Sequence, residues 1–235
     1  MKSNYNDIID IILTLLNDEK IADNIAISGS IVPYLILNKE SDFYHNDFNI
    51  FVKENSLSYV KKELKRLSKE YEFDIIIDSA KYANEDFGFK ITYENTVAGF
   101  YPYTLKDNKL IIKTFSYDGK DKVIKQKEKV VSGVIKSDIL RLITLNNDKT
   151  VRIMSPEYIK VDKEMKELTS EYDESLKMLD ELCDYSVLKE LRKKLQDSEI
   201  KITSSDIKQS NIKLVIICGA LLLIMILIIC VFLKR

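Results

Sequence analysis

Apolar residues recur along this chain with two periods, and the switches between them lay out its elements. Ile8, Ile9, Ile12, Leu15 and Leu16 repeat at helical spacing and predict an amphipathic first helix. Residues 24–28 (NIAIS) form a short apolar strand running into Gly29-Ser30, and 31–37 have the apolar content of a short helix, with Pro33 tolerated in its first turn. After a polar loop at 38–46, residues 47–52 (DFNIFV) alternate like a half-buried strand. Residues 58–71 set Val60, Leu64, Leu67 and Tyr71 on one helical stripe, and 73–77 read as a further strand. Helix and strand thus alternate, which predicts an α/β (α+β) fold, with helices packed on a mixed sheet.

The middle of the chain is richer in strands: 87–93, 96–101 and 110–116, with a tight turn at 106–108, then a hairpin of 139–145 and 149–154. Ser155-Pro156-Glu157 opens a helix, with Ser as N-cap, Pro at the first position and Glu near the positive end of the dipole. Met165, Leu168, Tyr172, Leu176, Leu179 and Leu182 then recur at three or four residues; a second run, Leu188, Leu191 and Leu195, follows Ser186 as its N-cap. These helices close the domain, form a hairpin on it, or bind a partner helix along 165–195. Residues 197–211 are polar and unpatterned and read as a flexible linker. Residues 214–233 carry neither charge nor proline, and at about 1.5 Å per residue they match a hydrocarbon core of about 30 Å. The predicted organisation is an α/β domain at 1–154, a helical segment at 155–196, a linker at 197–211 and a transmembrane anchor at 212–233.

Charge adds mainly exclusions. Lys plus Arg number 36 against 37 Asp plus Glu, so net charge draws the chain to neither nucleic acid nor anionic lipid, and no specific nucleic-acid binding is predicted. The basic run 120–129 reads as a solvated helix face. One histidine, His45 in a polar loop, and no cysteine cluster leave no zinc site and no Ser-His-Asp hydrolase. Asp7 and Asp10 interrupt the N-terminal apolar run, which is therefore not a signal peptide. The expected placement is a single-pass, tail-anchored membrane protein with its N-terminal domain in the cytoplasm.

The stretch 27–52, ISGSIVPYLILNKESDFYHNDFNIFV, runs strand, Gly-Ser turn, helix, loop, then an acidic residue opening a strand. Over about residues 5–182 the chain resembles the nucleotidyltransferase superfamily, in its abortive-infection nucleotidyltransferase-like branch. Gly29 and Ser30 match the turn that ends one strand in that family. Asp47 and Asn49 match its Asp-x-Asp pair with one change, and 155–163 (SPEYIKVDK) matches its Pro-Glu and downstream lysine element. The resemblance implies an NTP site at Gly29, Ser30 and Lys163, with Asp47 and Asn49 as the catalytic pair. It also implies Mg²⁺ on Asp47, with Asp74, Asp78 or Glu94 as further candidate carboxylates. The logic is physical: Gly lets backbone N–H groups approach phosphate, and carboxylates at i and i+2 of a strand share a face and a metal. Two departures stand out. Asn49 brings no charge, and 96–101 (TVAGFY) offers Ala98 and Gly99 where a third acid is expected. The sequence therefore predicts a membrane-anchored nucleotidyltransferase-like protein with weakened or lost catalysis. The alternative is a non-catalytic tethered adaptor that presents 155–196 to a protein partner.

Overall fold

The computed structural model describes residues 11–203, apart from 13, 40–41, 44–46, 71, 73, 83–84, 94–95, 119–121, 146–147 and 166–173. Short helix α1 (Glu19–Ala22) leads into β1 (Ile25–Ser28), α2 (Ile31–Ile36), β2 (Asp47–Lys53) and α3 (Leu57–Glu70). The strands β3 (Ile76–Tyr82), β4 (Glu85–Tyr93), β5 (Thr96–Lys106), β6 (Lys109–Asp118) and β7 (Lys122–Ser132) follow. Then come α4 (Lys136–Ile139), β8 (Leu140–Thr144), β9 (Thr150–Met154), α5 (Pro156–Glu164), α6 (Glu174–Leu182), α7 (Tyr185–Gln196) and β10 (Glu199–Thr203).

The described strands make one mixed sheet in the order β10-β7-β6-β5-β2-β1-β9-β8, with β3 and β4 branching from β5. The branch exists because β5 is long: its first half pairs with β4 and its second half with β6. β1 lies antiparallel to β2 and parallel to β9, and β2 lies parallel to β5. Strand alternation separates two faces. One is apolar: Ile25 and Ile27 of β1, Phe48, Ile50 and Val52 of β2, Ala98 and Phe100 of β5, and Phe89 and Ile91 of β4 are all buried. The Phe89 and Phe100 rings stack at 4.7 Å. Helices α2 and α3 supply the matching layer through Ile31, Val32, Leu35, Val60, Leu64 and Leu67, all in the same core. The opposite face carries the polar residues of the candidate site.

Local signals behave as expected where they are chemically specific. Ser155 Oγ accepts from the Tyr158 N–H at 3.2 Å and Pro156 holds the first helical position. The β5–β6 hairpin turns through Asp107 and Asn108 at φ +52° and +56°, the left-handed pair of a tight primed turn.

Several elements differ from the sequence reading. β3 begins at Ile76 rather than 73, because its hairpin with β4 sets the register: Ile76 faces Thr92 and Tyr82 faces Glu85. The basic run 120–129 is not a helix face but most of β7, which has a strand on each side, β6 and β10. Residues 136–139 form α4 ahead of β8. The last long helix is capped by Asp184, not Ser186: Asp184 Oδ1 accepts from Ser186 N–H at 2.8 Å and Val187 N–H at 3.3 Å. The expected linker begins inside the fold, since Glu199–Thr203 adds β10 to the sheet; the period-two alternation of Ile200 and Ile202 was the signal. Of the stripe offered to a partner, Leu179, Leu188, Leu191 and Leu195 are buried in the core, Met165 is exposed, and Leu168 and Tyr172 lie outside the described residues. Among the described residues no helix is long and apolar enough to cross a membrane. The predicted anchor, 212–233, lies outside the described residues, as does His45.

Candidate functional site

Five strands present one row of residues on the polar face. Ser28 pairs with Asn49, Asn49 with Gly99, Gly99 with Lys90, and Lys90 with Asp78. Paired residues point to the same side, so this row brings β1, β2, β5, β4 and β3 to one surface. The Gly29-Ser30 turn lies directly beside it. A methyl group on Gly29 would sit 3.0 Å from Asn49 Nδ2, and Gly29 holds φ +85°, which glycine alone adopts without strain. Ser30 occupies the N-cap position of α2 but makes no side-chain capping bond. The turn, Asn49 and the strand opener Asp47 therefore share one end of the sheet, with the backbone of Asp47 paired to Val97. The side chain of Asp47 lies outside the described set.

This strand arrangement is found in known proteins. No family model and no curated protein matches the chain. Among solved structures, the solution structure of the antibiotic-resistance factor ANT(2'')-Ia matches with a TM-score of 0.53 at 12% identity, over 82% of this chain and 91% of that one. Lincomycin-bound LnuA, a lincosamide antibiotic adenylyltransferase, gives 0.48 at 15% identity over 74% of this chain and 96% of its own. A crystal structure of ANT(2'')-Ia with adenylyl-2''-tobramycin gives 0.49 at 12% over 81% and 95%. The fold is nucleotidyltransferase-like. At these identities the likeness fixes architecture and not activity.

The sequence resemblance puts metal-holding acids at Asp47 and in the row through Asn49 and Gly99, and the described residues of that row are of another kind. An added Cβ at Gly99 would meet Tyr101 Oη at 2.5 Å, so the phenol of Tyr101 covers the glycine. Tyr101 is itself braced by Phe51 and Phe115, with ring centroids at 5.9 and 4.9 Å. Next in the row, the buried Lys90 ammonium lies 3.8 Å from the Asp78 carboxylate. A magnesium ion asks for several oxygen ligands, carboxylates among them, in near-octahedral order. The described row brings an amide, a glycine under a phenol and an ammonium to this place, with Asp78 as its acid. Among the described residues, no group of three or more His, Cys, Asp or Glu side chains is placed to hold a metal. Lys90 and Tyr101 were not singled out as site residues. For Lys90 a signal existed: it stands between apolar Phe89 and Ile91, and so on the other face of β4.

The remaining expected site residues are dispersed. Asp74 is exposed and precedes β3, so it does not share that strand's face with Asp78. Lys163 Nζ donates to Ser175 Oγ at 2.8 Å, joining α5 to α6, and α6 packs on α2, the helix that follows Ser30. Neighbouring Lys160 is similarly engaged, at 2.6 Å from Asp180 and 3.0 Å from Glu164. Glu157 of the Pro-Glu element is fully buried: its Oε1 meets Arg141 Nη2 at 2.7 Å and accepts from the Asp184 N–H at 2.7 Å. This glutamate ties β8, α5 and the start of α7 together, a structural duty its sequence position did not reveal.

Proposed function

We propose that this chain is a membrane-tethered nucleotidyltransferase-like protein whose cleft no longer performs two-metal nucleotidyl transfer. One observation supports this above the others: the Tyr101 phenol occupies the space over Gly99, in register with Asn49, where a metal-bound carboxylate would project. Replacing acids by a phenol and an ammonium removes the negative charge that concentrates divalent ions and leaves the Gly29-Ser30 turn as the surviving phosphate-facing element. The tether is the apolar run 214–233. Because β10 ends at Thr203, residues 204–213 alone separate body from span, a reach of at most about 35 Å.

The test is equilibrium binding of NTPs to the full chain with and without Mg²⁺, alongside transfer from an α-labelled NTP. The expected result is no transfer and no strengthening of binding by Mg²⁺. Magnesium-dependent NTP binding that disappears in Asp47→Ala would restore the enzyme reading. Separately, deletion of 212–235 is expected to release the body from membranes; a truncated body that still pellets with them would remove the tether.

A further inference from the structure

Strand β2 carries another charged residue on its polar face, four positions beyond Asn49. Lys53 is half-buried, and burial together with the nearby charges of Arg152 and Lys136 holds its ammonium below the usual lysine range, with Asp23 opposing them. Lys53 N–H donates to the Asn24 carbonyl at 2.8 Å, beside Asp23, but neither the Lys53 nor the Lys136 ammonium has an ion pair or hydrogen bond among the described residues. Arg152 is directed by the chain itself: Nη1 donates to the Ala22 carbonyl at 3.3 Å and to the Asp23 carbonyl, and Nη2 faces Asp23 Oδ1 at 3.4 Å. Lys53 thus lies in the field of two other cations, Arg152 and Lys136, and of the largely exposed Asp23 that Arg152 holds. Tyr103, paired with Lys53 across the β2–β5 ladder, is buried together with its unpartnered hydroxyl. Adjoining the cluster, Lys136, Arg141 and Arg152 line an open hollow of about 590 Å³ whose apolar wall is Ile135, Leu140 and Leu142. Ile135 and Leu142 are 52% and 65% exposed.

We propose that Lys53 and Lys136, backed by the charge of Arg152, bind the phosphoryl group of a phosphorylated small molecule, whose apolar or aromatic body rests in the hollow against Ile135, Leu140 and Leu142. The hollow has the size of a small-molecule site. The free donors are ammonium groups, point charges suited to a compact dianion; the two guanidinium forks at the hollow are engaged, Arg152 by Ala22 and Asp23 and Arg141 by Glu157. This site is independent of the metal chemistry at Asn49 and stands whether or not NTP binds there.

Phenyl phosphate is the probe, with inorganic phosphate and benzoate as comparisons, all at matched ionic strength, read as the thermal unfolding midpoint of the detergent-solubilised full chain. Phenyl phosphate is expected to raise the midpoint most, inorganic phosphate less and benzoate least. Lys53→Met is expected to raise the midpoint without ligand, since it removes a confined like charge, yet to weaken phenyl phosphate by about tenfold or more. Should that variant misfold, Lys136→Ala, at an exposed position, is expected to weaken binding in the same sense. No midpoint shift with phenyl phosphate, or a shift retained in the folded lysine variants, would overturn the site. Benzoate equalling phenyl phosphate would overturn the phosphoryl assignment, and inorganic phosphate equalling it would overturn the apolar body.

Discussion

Two positions on strand β2 face the same side, about 13 Å apart, and illustrate opposite electrostatic solutions. At Asn49 the row across the sheet is closed: the neighbouring glycine is covered by the Tyr101 phenol, and the Lys90 ammonium has Asp78 at 3.8 Å. At Lys53 the arrangement is open, with like charges close together and a buried tyrosine hydroxyl left without an acceptor. A closed polar cluster needs no ligand to be stable. The described row at Asn49 is thus paired within itself, whereas the ammonium groups at the other end of the strand have no side-chain partner among the described residues.

The comparison can be broken most forcefully at two glycines. At Gly88, with φ +110°, a Cβ would meet the Phe100 carbonyl oxygen at 2.0 Å, a backbone atom that cannot step aside. Gly88→Ala is expected to cost about 4 kcal/mol or more in chemical denaturation, whatever side chains surround it. At Gly99 the obstacle is instead the Tyr101 phenol. Gly99→Asp is expected to cost about 3 kcal/mol, and pairing it with Tyr101→Ala to cost less than the sum of the two single changes. Additive losses would mean that the phenol does not fill the acid's place.

A smaller effect is expected at the buried glutamate that holds Arg141 beside the hollow. Glu157→Gln keeps an acceptor for the Asp184 N–H but removes the charge facing Arg141, with an expected loss of about 1–2 kcal/mol by urea denaturation. An unchanged stability would show that the Arg141 contact contributes nothing to anchoring this edge.

The most delicate test is the pH dependence at Lys53. Its folded pKa lies below the ordinary lysine value, so between the two the unfolded chain holds a proton the folded chain has released. Stability of the wild-type protein is then expected to rise relative to Lys53→Met as pH climbs through that window toward the ordinary value of 10.5, and to lie at its relative minimum below it. Saturating phenyl phosphate stabilises the ammonium and is expected to flatten the difference. A difference independent of pH would place Lys53 in an ordinary solvated setting.

The parts of the fold legible in the sequence were those written in local chemistry. Ser155-Pro156 marked a helix start, the Asp-Asn turn marked a hairpin, and the alternation of Phe48, Ile50 and Val52 marked a core-facing strand. The candidate site was legible only as far as the Gly29 turn and the Asp47–Asn49 strand, which the fold does bring into contact through Gly29 and Asn49. Lys163 and Glu157 carried a family signal, but their bonds to Ser175 and Arg141 join elements that no sequence window contains together.

By itself the sequence determined the elements with a clear period or cap, β1, β2, α3 and α5 among them, because hydrophobic period and turn residues act within a few positions. It also determined the apolar run 214–233, since lack of charge over that length is a property of the chain alone. Only the tertiary structure decided that Tyr101 covers Gly99, that the lysine-rich run is a strand between β6 and β10, and that Lys136 and Arg152 line one hollow. Those outcomes depend on sheet register and strand order, which bring residues tens of positions apart to the same few ångströms, where sterics and Coulomb forces take effect.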